Sequence, residues 1–149
     1  MLYCRLNQWV NMETPKLLIA GLSQQTLNLV RKAVDQLGYQ IVPAPAMSLA
    51  LFLAHKNLPD IIISDLKMRD GDGLSFLCEI REDHELRAIP FLFCLDQMPD
   101  EATELLAIKS GARKVVPNNL QPAEFLQIIE PFIDERLRDK VKRVEQTPE

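Results

Sequence analysis

The feature that most restricts the fold of this chain is a regular alternation of short apolar runs with segments of helical periodicity. Five of these runs have the length of a β-strand: 17–20, 39–42, 60–64, 90–95 and 113–116. Strands that alternate with helices through short connections pair in parallel, and the helices then cover both faces of the sheet. The alternation therefore predicts an α/β fold in which an open five-stranded parallel sheet lies between two layers of helices.

Apolar periodicity also predicts which side of each helix faces the sheet. The last helix has the clearest period, with apolar residues at i, i+3, i+4 and i+7: Phe125, Ile128, Ile129 and Phe132. In the third helix the expected inward stripe is Leu74, Leu77, Cys78 and Arg81. In the fourth helix, which opens near Pro99, the residues expected to face inward are Ala102, Leu105 and Leu106.

The length of 149 residues suits one domain with two terminal extensions. Residues 1–15 show no period, and we expect a flexible lead-in in which only Trp9 docks. Residues 16–133 form the predicted domain. Pro131 should kink the last helix or end its packed part, so we expect residues 134–149 to be a projecting helical tail that becomes disordered.

The amino-acid composition argues against several classes of function. The net charge of -4 and the lack of a long Lys or Arg run argue against direct nucleic-acid binding. The longest apolar run, 91–95, is far shorter than the roughly 20 residues that a membrane span needs. Three cysteines, odd in number and unpaired in spacing, indicate reduced thiols and a cytoplasmic protein. Neither His55 nor His84 belongs to a ligand pattern, so we expect no metal site there.

Asp65 is the first candidate for chemistry. It follows the run 60–64 and precedes a charged, glycine-containing loop, after which helical periodicity resumes at Leu74. This places its carboxylate at a strand-to-helix corner. In open parallel sheets, ligands bind outside the carboxyl ends of the strands, so Asp65 is expected at the functional edge of the sheet.

Several residues around Asp65 occur in a recurrent order. They are Pro59 before the third strand, Met68 and the pair 72–73 after it, Pro90 at the fourth strand, the pair 111–112 before the fifth, and Pro122. Together with the alternation, they resemble the receiver domain of bacterial two-component response regulators over about residues 16–133. The resemblance implies a flavodoxin-like, doubly wound sheet of strand order 2-1-3-4-5, with Asp65 at the phosphoacceptor position.

The sequence departs from this family wherever the family uses a helper residue beside the phosphoacceptor. The resemblance places the Mg²⁺-binding acidic pair on Gly21 and Leu22, the hydroxyl residue on Leu95, and the lysine on Asn118. The proline after the lysine falls on Asn119, and the aromatic switch residue falls on Val115. Of the residues that the family uses for metal binding and phosphoryl transfer, this sequence would therefore keep only Asp65.

Without those helpers, Asp65 would have to serve both as metal ligand and as nucleophile. Nothing would offset the negative charge that spreads over the phosphoryl oxygens, so we expect poor Mg²⁺ binding, no phosphorylation and no cofactor. Two neighbours could still modify the site. Lys67 could neutralise Asp65 by folding back, and Asp96 could offer a second carboxylate, although a solvated lysine and a capping aspartate are the simpler interpretations.

We interpret the chain as a degenerate receiver, or pseudo-receiver: a signalling module, not an enzyme, that acts by protein contact. The resemblance implies binding to a histidine kinase or an output protein through the fourth helix, fifth strand and fifth helix, which carry Glu101, Glu104, Lys109, Arg113 and Lys114. Two alternatives stay open. One is a response regulator phosphorylated on Asp65 with Mg²⁺; the other is a homodimerising module that signals through its tail from Ile133.

Overall fold

The structure is a computed structural model, and it describes residues 14–146, with side chains as far as residue 142. Residues 1–13, with Trp9, and residues 147–149 lie outside this description. Five strands form one parallel sheet: β1 (Lys16–Ala20), β2 (Gln40–Ala44), β3 (Ile61–Ser64), β4 (Phe91–Leu95) and β5 (Lys114–Pro117). Their order is β2-β1-β3-β4-β5, which confirms the predicted flavodoxin-like topology.

Five helices of the described residues follow the strands in sequence: α1 (Gln24–Val34), α2 (Met47–Asn57), α3 (Gly73–Glu82), α4 (Glu101–Lys109) and α5 (Pro122–Gln146). A short 3₁₀ turn, Asp35–Leu37, extends α1 and ends at Gly38, whose φ of 69° is the left-handed conformation typical of a helix end. One apolar cluster joins the sheet to α2, α3 and α4, and a second joins its other face to α1 and α5. The two cores make the fold a three-layer α/β domain.

The inward faces of two helices differ from those that we predicted. In α3, Phe76, Leu77 and Ile80 are fully buried while Cys78 is exposed, so the stripe is turned by about one residue. In α4, Leu105 and Leu106 are 53% and 52% exposed, and Ala107 is the buried residue. Apolar residues surround the axis of α4, so periodicity could not select its buried side.

The last helix remains packed on the domain after Pro131. Ile133 is fully buried and Arg136 is 95% buried, although both lie beyond the proline. Near the end of the described side chains, the ammonium group of Lys140 forms an ion pair with the buried carboxylate of Asp60. The helix is therefore docked at least as far as Lys140, where we expected a projecting tail. Within residues 14–146, no helix combines the length and the apolar character that crossing a membrane requires.

Candidate functional site

The carboxyl ends of the strands meet at one edge of the sheet, and Asp65 lies there. Its backbone N–H donates to the carbonyl oxygen of Ala20 at the end of β1, with an N···O distance of 2.8 Å. On the other side, the backbone N–H of Asn118 donates to the carbonyl oxygen of Leu95 at 2.9 Å. These bonds bring the loops after β1, β3, β4 and β5 together around the carboxylate of Asp65, as the parallel arrangement predicts.

The carboxylate of Asp65 is half-buried, and one of its oxygens, Oδ1, accepts the backbone N–H of Leu66 at 2.7 Å. Burial raises the pKa of this carboxyl above its usual value, and the nearby charge of Asp96 acts in the same direction. Backbone N–H groups of Leu66 and Lys67, and the Lys67 charge, oppose that rise in pKa. The charged form of Asp65 is therefore held in an environment that disfavours it.

Lys67 lies on the surface and does not cover Asp65. It opens a small antiparallel hairpin, formed by Lys67–Met68 and Gly71–Asp72, that connects β3 to α3. The side chain is exposed, and among the described residues it forms no ion pair with Asp65. Its effect on Asp65 is a long-range attraction that solvent weakens.

Gly21 and Leu22, where the resemblance places the acidic pair, supply no carboxylate. A β-carbon placed on Gly21 would lie 2.6 Å from the β-carbon of Asp65, and the φ of Gly21 is +135°. The backbone after β1 thus approaches Asp65 as closely as glycine allows. The neighbouring side chain of Leu22 is 51% exposed and apolar.

The side chain of Asn118, where the resemblance places the lysine, belongs to a hydrogen-bond network that joins three loops. The residue is only 3% exposed, and its amide nitrogen donates to the carboxylate of Asp96 and to the hydroxyl of Thr26 at 3.0 Å. The same nitrogen lies 3.3 Å from the hydroxyl of Ser23, which itself donates to Asp96 at 3.1 Å. Ser23 also caps α1 by accepting the backbone N–H of Thr26. The bond between Ser23 and Asp96 joins segments 73 residues apart, so no local sequence pattern predicts it.

Apolar packing occupies the other helper positions. Leu95, where the resemblance places a hydroxyl, is 2% exposed and belongs to the core shared with α3 and α4. Val115, at the aromatic switch position, is partly buried against the same core. Asn119 is exposed. None of these three positions therefore has a hydroxyl or aromatic group that could respond to a change at Asp65.

Two aspartates fix the hairpin that follows β3. The carboxylate of Asp70 accepts the backbone N–H groups of Met47 and Ser48, at 2.5 and 3.2 Å, and the Ser48 hydroxyl at 2.5 Å. The Ser48 hydroxyl is the largest cause that lowers the pKa of Asp70. Asp72 caps α3 through the backbone N–H of Ser75 at 2.8 Å, as its sequence position predicts. The loop is therefore anchored to both α2 and α3.

Mg²⁺, the ion that the fold family uses at this edge, does not fit the residues present. A Mg²⁺ site needs one or two protein carboxylates in near-octahedral geometry together with phosphate oxygens and water. In the loops after β1 and β3, Gly21 and Leu22 carry no carboxylate, and the carboxylates of Asp70 and Asp72 bond to α2 and α3, which leaves Asp65 at this position. Asp96 directs one oxygen to Asn118 and Ser23. Asp65 would therefore have to serve both as the metal ligand and as the group that accepts the phosphoryl, and no second carboxylate of these loops is left to hold the ion.

Comparisons with a family model and with known proteins agree with the observed fold. The family model for the response regulator receiver domain matches residues 17–130. A probable transcriptional regulator, ycf27, of Galdieria sulphuraria is 27% identical over 130 residues, which cover 87% of this chain and 46% of that protein. Histidine kinase P4 of Formosa agariphila is 31% identical over 104 residues, covering 70% of this chain and 8% of the kinase. The chain spans less than half the length of each of these curated relatives.

A solved structure shows the same architecture. The chemotaxis response regulator CheY4 of Vibrio cholerae superposes with a TM-score of 0.71 over 80% of this chain and 99% of CheY4. The sequences are 22% identical, so this likeness shows the shared fold.

Proposed function

Because the chain belongs to the response regulator receiver domain family of two-component signalling, we propose that it is a pseudo-receiver that acts by protein contact, without Mg²⁺-dependent phosphorylation. One observation carries the proposal. The Asn118 amide, at the position of the family's lysine, donates to Asp96 and Thr26. The residue that should meet a phosphoryl group on Asp65 is thus neutral and already bonded.

Charge explains why this arrangement disfavours phosphoryl transfer. Attack by a carboxylate on a phosphodonor brings two anions together, and catalysis depends on cations that offset their charge. Here the Asn118 amide is neutral, and Gly21 and Leu22 cannot hold a metal ion. A charge-assisted hydrogen bond contributes about 1.5 to 3 kcal/mol, and a phosphoryl group on Asp65 would lack such a bond from position 118. Both the transfer and its product are therefore disfavoured.

The surface formed by α4, β5 and α5 is the contact site that we propose, and we call it the α4–β5–α5 surface. Three large apolar side chains of α4 are exposed on or beside it: Leu105, Leu106 and Ile108. Arg113 already pairs with Glu135 at 2.7 Å and stacks over Phe132, so it rigidifies the edge between β5 and α5. Exposed apolar side chains surrounded by charges are a common composition of a protein contact site.

The partner that we propose is a histidine kinase or an output protein of a two-component pathway in the cytoplasm. The matched segment lies within a histidine kinase in one relative and within a transcriptional regulator in another, so receiver domains of this kind occur with both protein classes. A second copy of the chain could use the same apolar residues. The acidic net charge does not favour nucleic acid as a direct ligand.

Incubation with Mg²⁺ and acetyl phosphate tests the absence of phosphorylation. We expect the intact mass of the chain to stay unchanged, in the wild type and in Asp65→Asn alike. A mass increase of one phosphoryl group in the wild type alone would establish the alternative, a response regulator with Asp65 as its phosphoacceptor. A receiver domain with an intact acidic pair and lysine, treated in parallel, shows that the donor is active.

Replacement of Leu106 by glutamate tests the contact surface. Leu106→Glu adds a charge to an exposed position, so the fold should be retained, which circular dichroism checks. The matched control is Phe52→Glu on α2, where the phenyl ring is 60% exposed on another side of the domain. In pull-downs with the cognate kinase or output protein, and in light scattering for self-association, Leu106→Glu should reduce binding and Phe52→Glu should not. Equal binding by both variants would exclude this surface.

A further inference from the structure

The end of α2 places His55 between two carboxylates of the loop that joins α3 to β4. The Nε2 atom of His55 lies 3.1 Å from Oδ2 of Asp83, and its Nδ1 atom lies 3.8 Å from Oε1 of Glu85. The three side chains are at least partly exposed. Sequence spacing pairs His55 with no acid, because the contact depends on the packing of α2 beside α3.

We propose that His55, Asp83 and Glu85 bind a divalent transition-metal ion of the Zn²⁺ class. One imidazole nitrogen and one oxygen from each carboxylate lie within 4.8 Å of one another. Imidazole nitrogen with two carboxylate oxygens is a donor set that suits Zn²⁺, and water would complete the tetrahedron. Mg²⁺ is a poor competitor, because it prefers an all-oxygen octahedron.

Local hydrogen bonds hold the carboxylate of Asp83 in place, whereas the exposed side chains of His55 and Glu85 can rotate. Oδ1 of Asp83 accepts the backbone N–H groups of Glu85 at 2.8 Å and Leu86 at 3.2 Å, so Oδ2 is presented to His55. Such bonds to the second oxygen orient a ligating carboxylate. Zinc bonds of about 2.0 to 2.2 Å place tetrahedral ligands about 3.4 Å apart, and rotation of the exposed His55 and Glu85 side chains closes the remaining distance.

Electrostatics favour a cation at this point. The carboxylates of Asp83 and Glu85 bring two negative charges to the cluster, and His55 lies in the last turn of α2, where backbone carbonyls add negative potential. The nearest lysine along the helix, Lys56, lies 6.0 Å over the ring of Phe52 and not within the cluster. The C-terminal ends of α2 and α3 lie at the edge of the sheet opposite Asp65, so the site is independent of the proposed function.

Zn²⁺ titration of the full chain without a histidine tag tests the proposal. After removal of metal with chelator, calorimetry should show one saturable site, and Zn²⁺ should raise the thermal midpoint because it links α2 to the loop after α3. His55→Gln and Glu85→Gln should each weaken binding by at least the roughly ten- to hundredfold that removing a hydrogen-bond partner of a metal ligand costs. The matched control is His84→Gln, which removes an exposed imidazole outside the cluster.

The control separates this site from binding to any surface histidine. Retained affinity in His84→Gln with loss in His55→Gln and Glu85→Gln supports the three-residue site. Two results would overturn it: wild-type affinity in His55→Gln, or an equal loss in His84→Gln. Circular dichroism of each variant, whose altered side chain is largely exposed, shows whether a loss reflects binding or misfolding.

Discussion

Gly21 lies against the side chain of Asp65, so that a β-carbon on Gly21 would be 2.6 Å from the β-carbon of Asp65. The φ of Gly21, +135°, is one that side-chain-bearing residues rarely adopt. The resemblance places one acid of the Mg²⁺-binding pair at this position, whereas here the backbone fills part of the space. The backbone at position 21 therefore leaves little room for a side chain beside Asp65.

Restoring an acid at position 21 should damage the fold instead of restoring a metal site. We expect Gly21→Asp to lower the free energy of unfolding by about 1 to 3 kcal/mol, because the residue is strained and contacts Asp65. Leu22→Asp, at an exposed position, should change it by less than about 0.5 kcal/mol. Urea unfolding measures both, and Gly21→Ala isolates the contribution of the β-carbon. Equal stability of Gly21→Asp and the wild type would contradict the close approach.

Removing the charge of Asp65 should stabilise the domain. Burial raises the pKa of this carboxyl, so the folded state binds its proton more readily than the unfolded state. Stability from this group is therefore lost as the pH rises from the unfolded pKa through the raised folded pKa. Asp65→Asn keeps an acceptor for the Leu66 N–H and should unfold at higher urea at neutral pH, with a smaller difference in acid.

Asp139→Asn is the control for that measurement, because it removes one exposed carboxylate from α5 at the surface. Its urea midpoint should match that of the wild type at both pH values. If Asp65→Asn unfolds at lower urea than the wild type at neutral pH, the carboxylate stabilises the fold. That result would contradict the conclusion that burial disfavours the charged form of Asp65.

The ion pair between Lys140 and Asp60 should contribute to stability. Asp60 is 3% exposed, and its other oxygen accepts the backbone N–H of Lys16 at 2.8 Å. Lys140→Met removes this ammonium group from the buried carboxylate and should lower the free energy of unfolding by about 1 to 3 kcal/mol. Lys142→Met, at an exposed position on the same helix, should have little effect. Equal effects of the two substitutions would show that α5 is not docked through Lys140.

Because Leu105 of α4 is half-exposed, its truncation should cost less free energy of unfolding than the truncation of a buried residue of α5. Ile129→Ala removes a fully buried side chain of α5 and should cost about 2 to 5 kcal/mol. Leu105→Ala truncates a side chain that is half-exposed and should cost less than about 0.5 kcal/mol. Chemical unfolding compares them directly. A loss in Leu105→Ala as large as that in Ile129→Ala would restore the inward orientation that periodicity first predicted.

The architecture could be predicted from sequence because it depends on local patterns. Five strand-length runs separated by helices allow few parallel topologies, and the resemblance selected among them. Local rules also account for the helix caps at Ser23 and Asp72, since each bonds a backbone N–H only three residues away. The position of Asp65 at the sheet edge followed from the same reasoning.

Contacts between distant segments could not be predicted in this way. Asp70 caps α2 from 23 residues further along the chain, and Asn118 reaches Ser23 across 95 residues. No local sequence pattern predicts which distant group such a side chain will bond. The apolar residues of α4 surround its axis, so its buried side depends on the small size of Ala107 against the sheet. His55 meets Asp83 for a similar reason, through the packing of two helices.

Mg²⁺ titration followed by NMR tests the central claim, that Asp65 lacks the partners needed to hold the ion. The backbone N–H of Leu66 bonds directly to the Asp65 carboxylate, so its resonance reports on any cation bound there. We predict that the resonances of Leu66 and Asn118 stay unchanged in millimolar Mg²⁺. Saturable shifts of both resonances that disappear in Asp65→Asn would contradict the account and indicate a functional phosphoacceptor site.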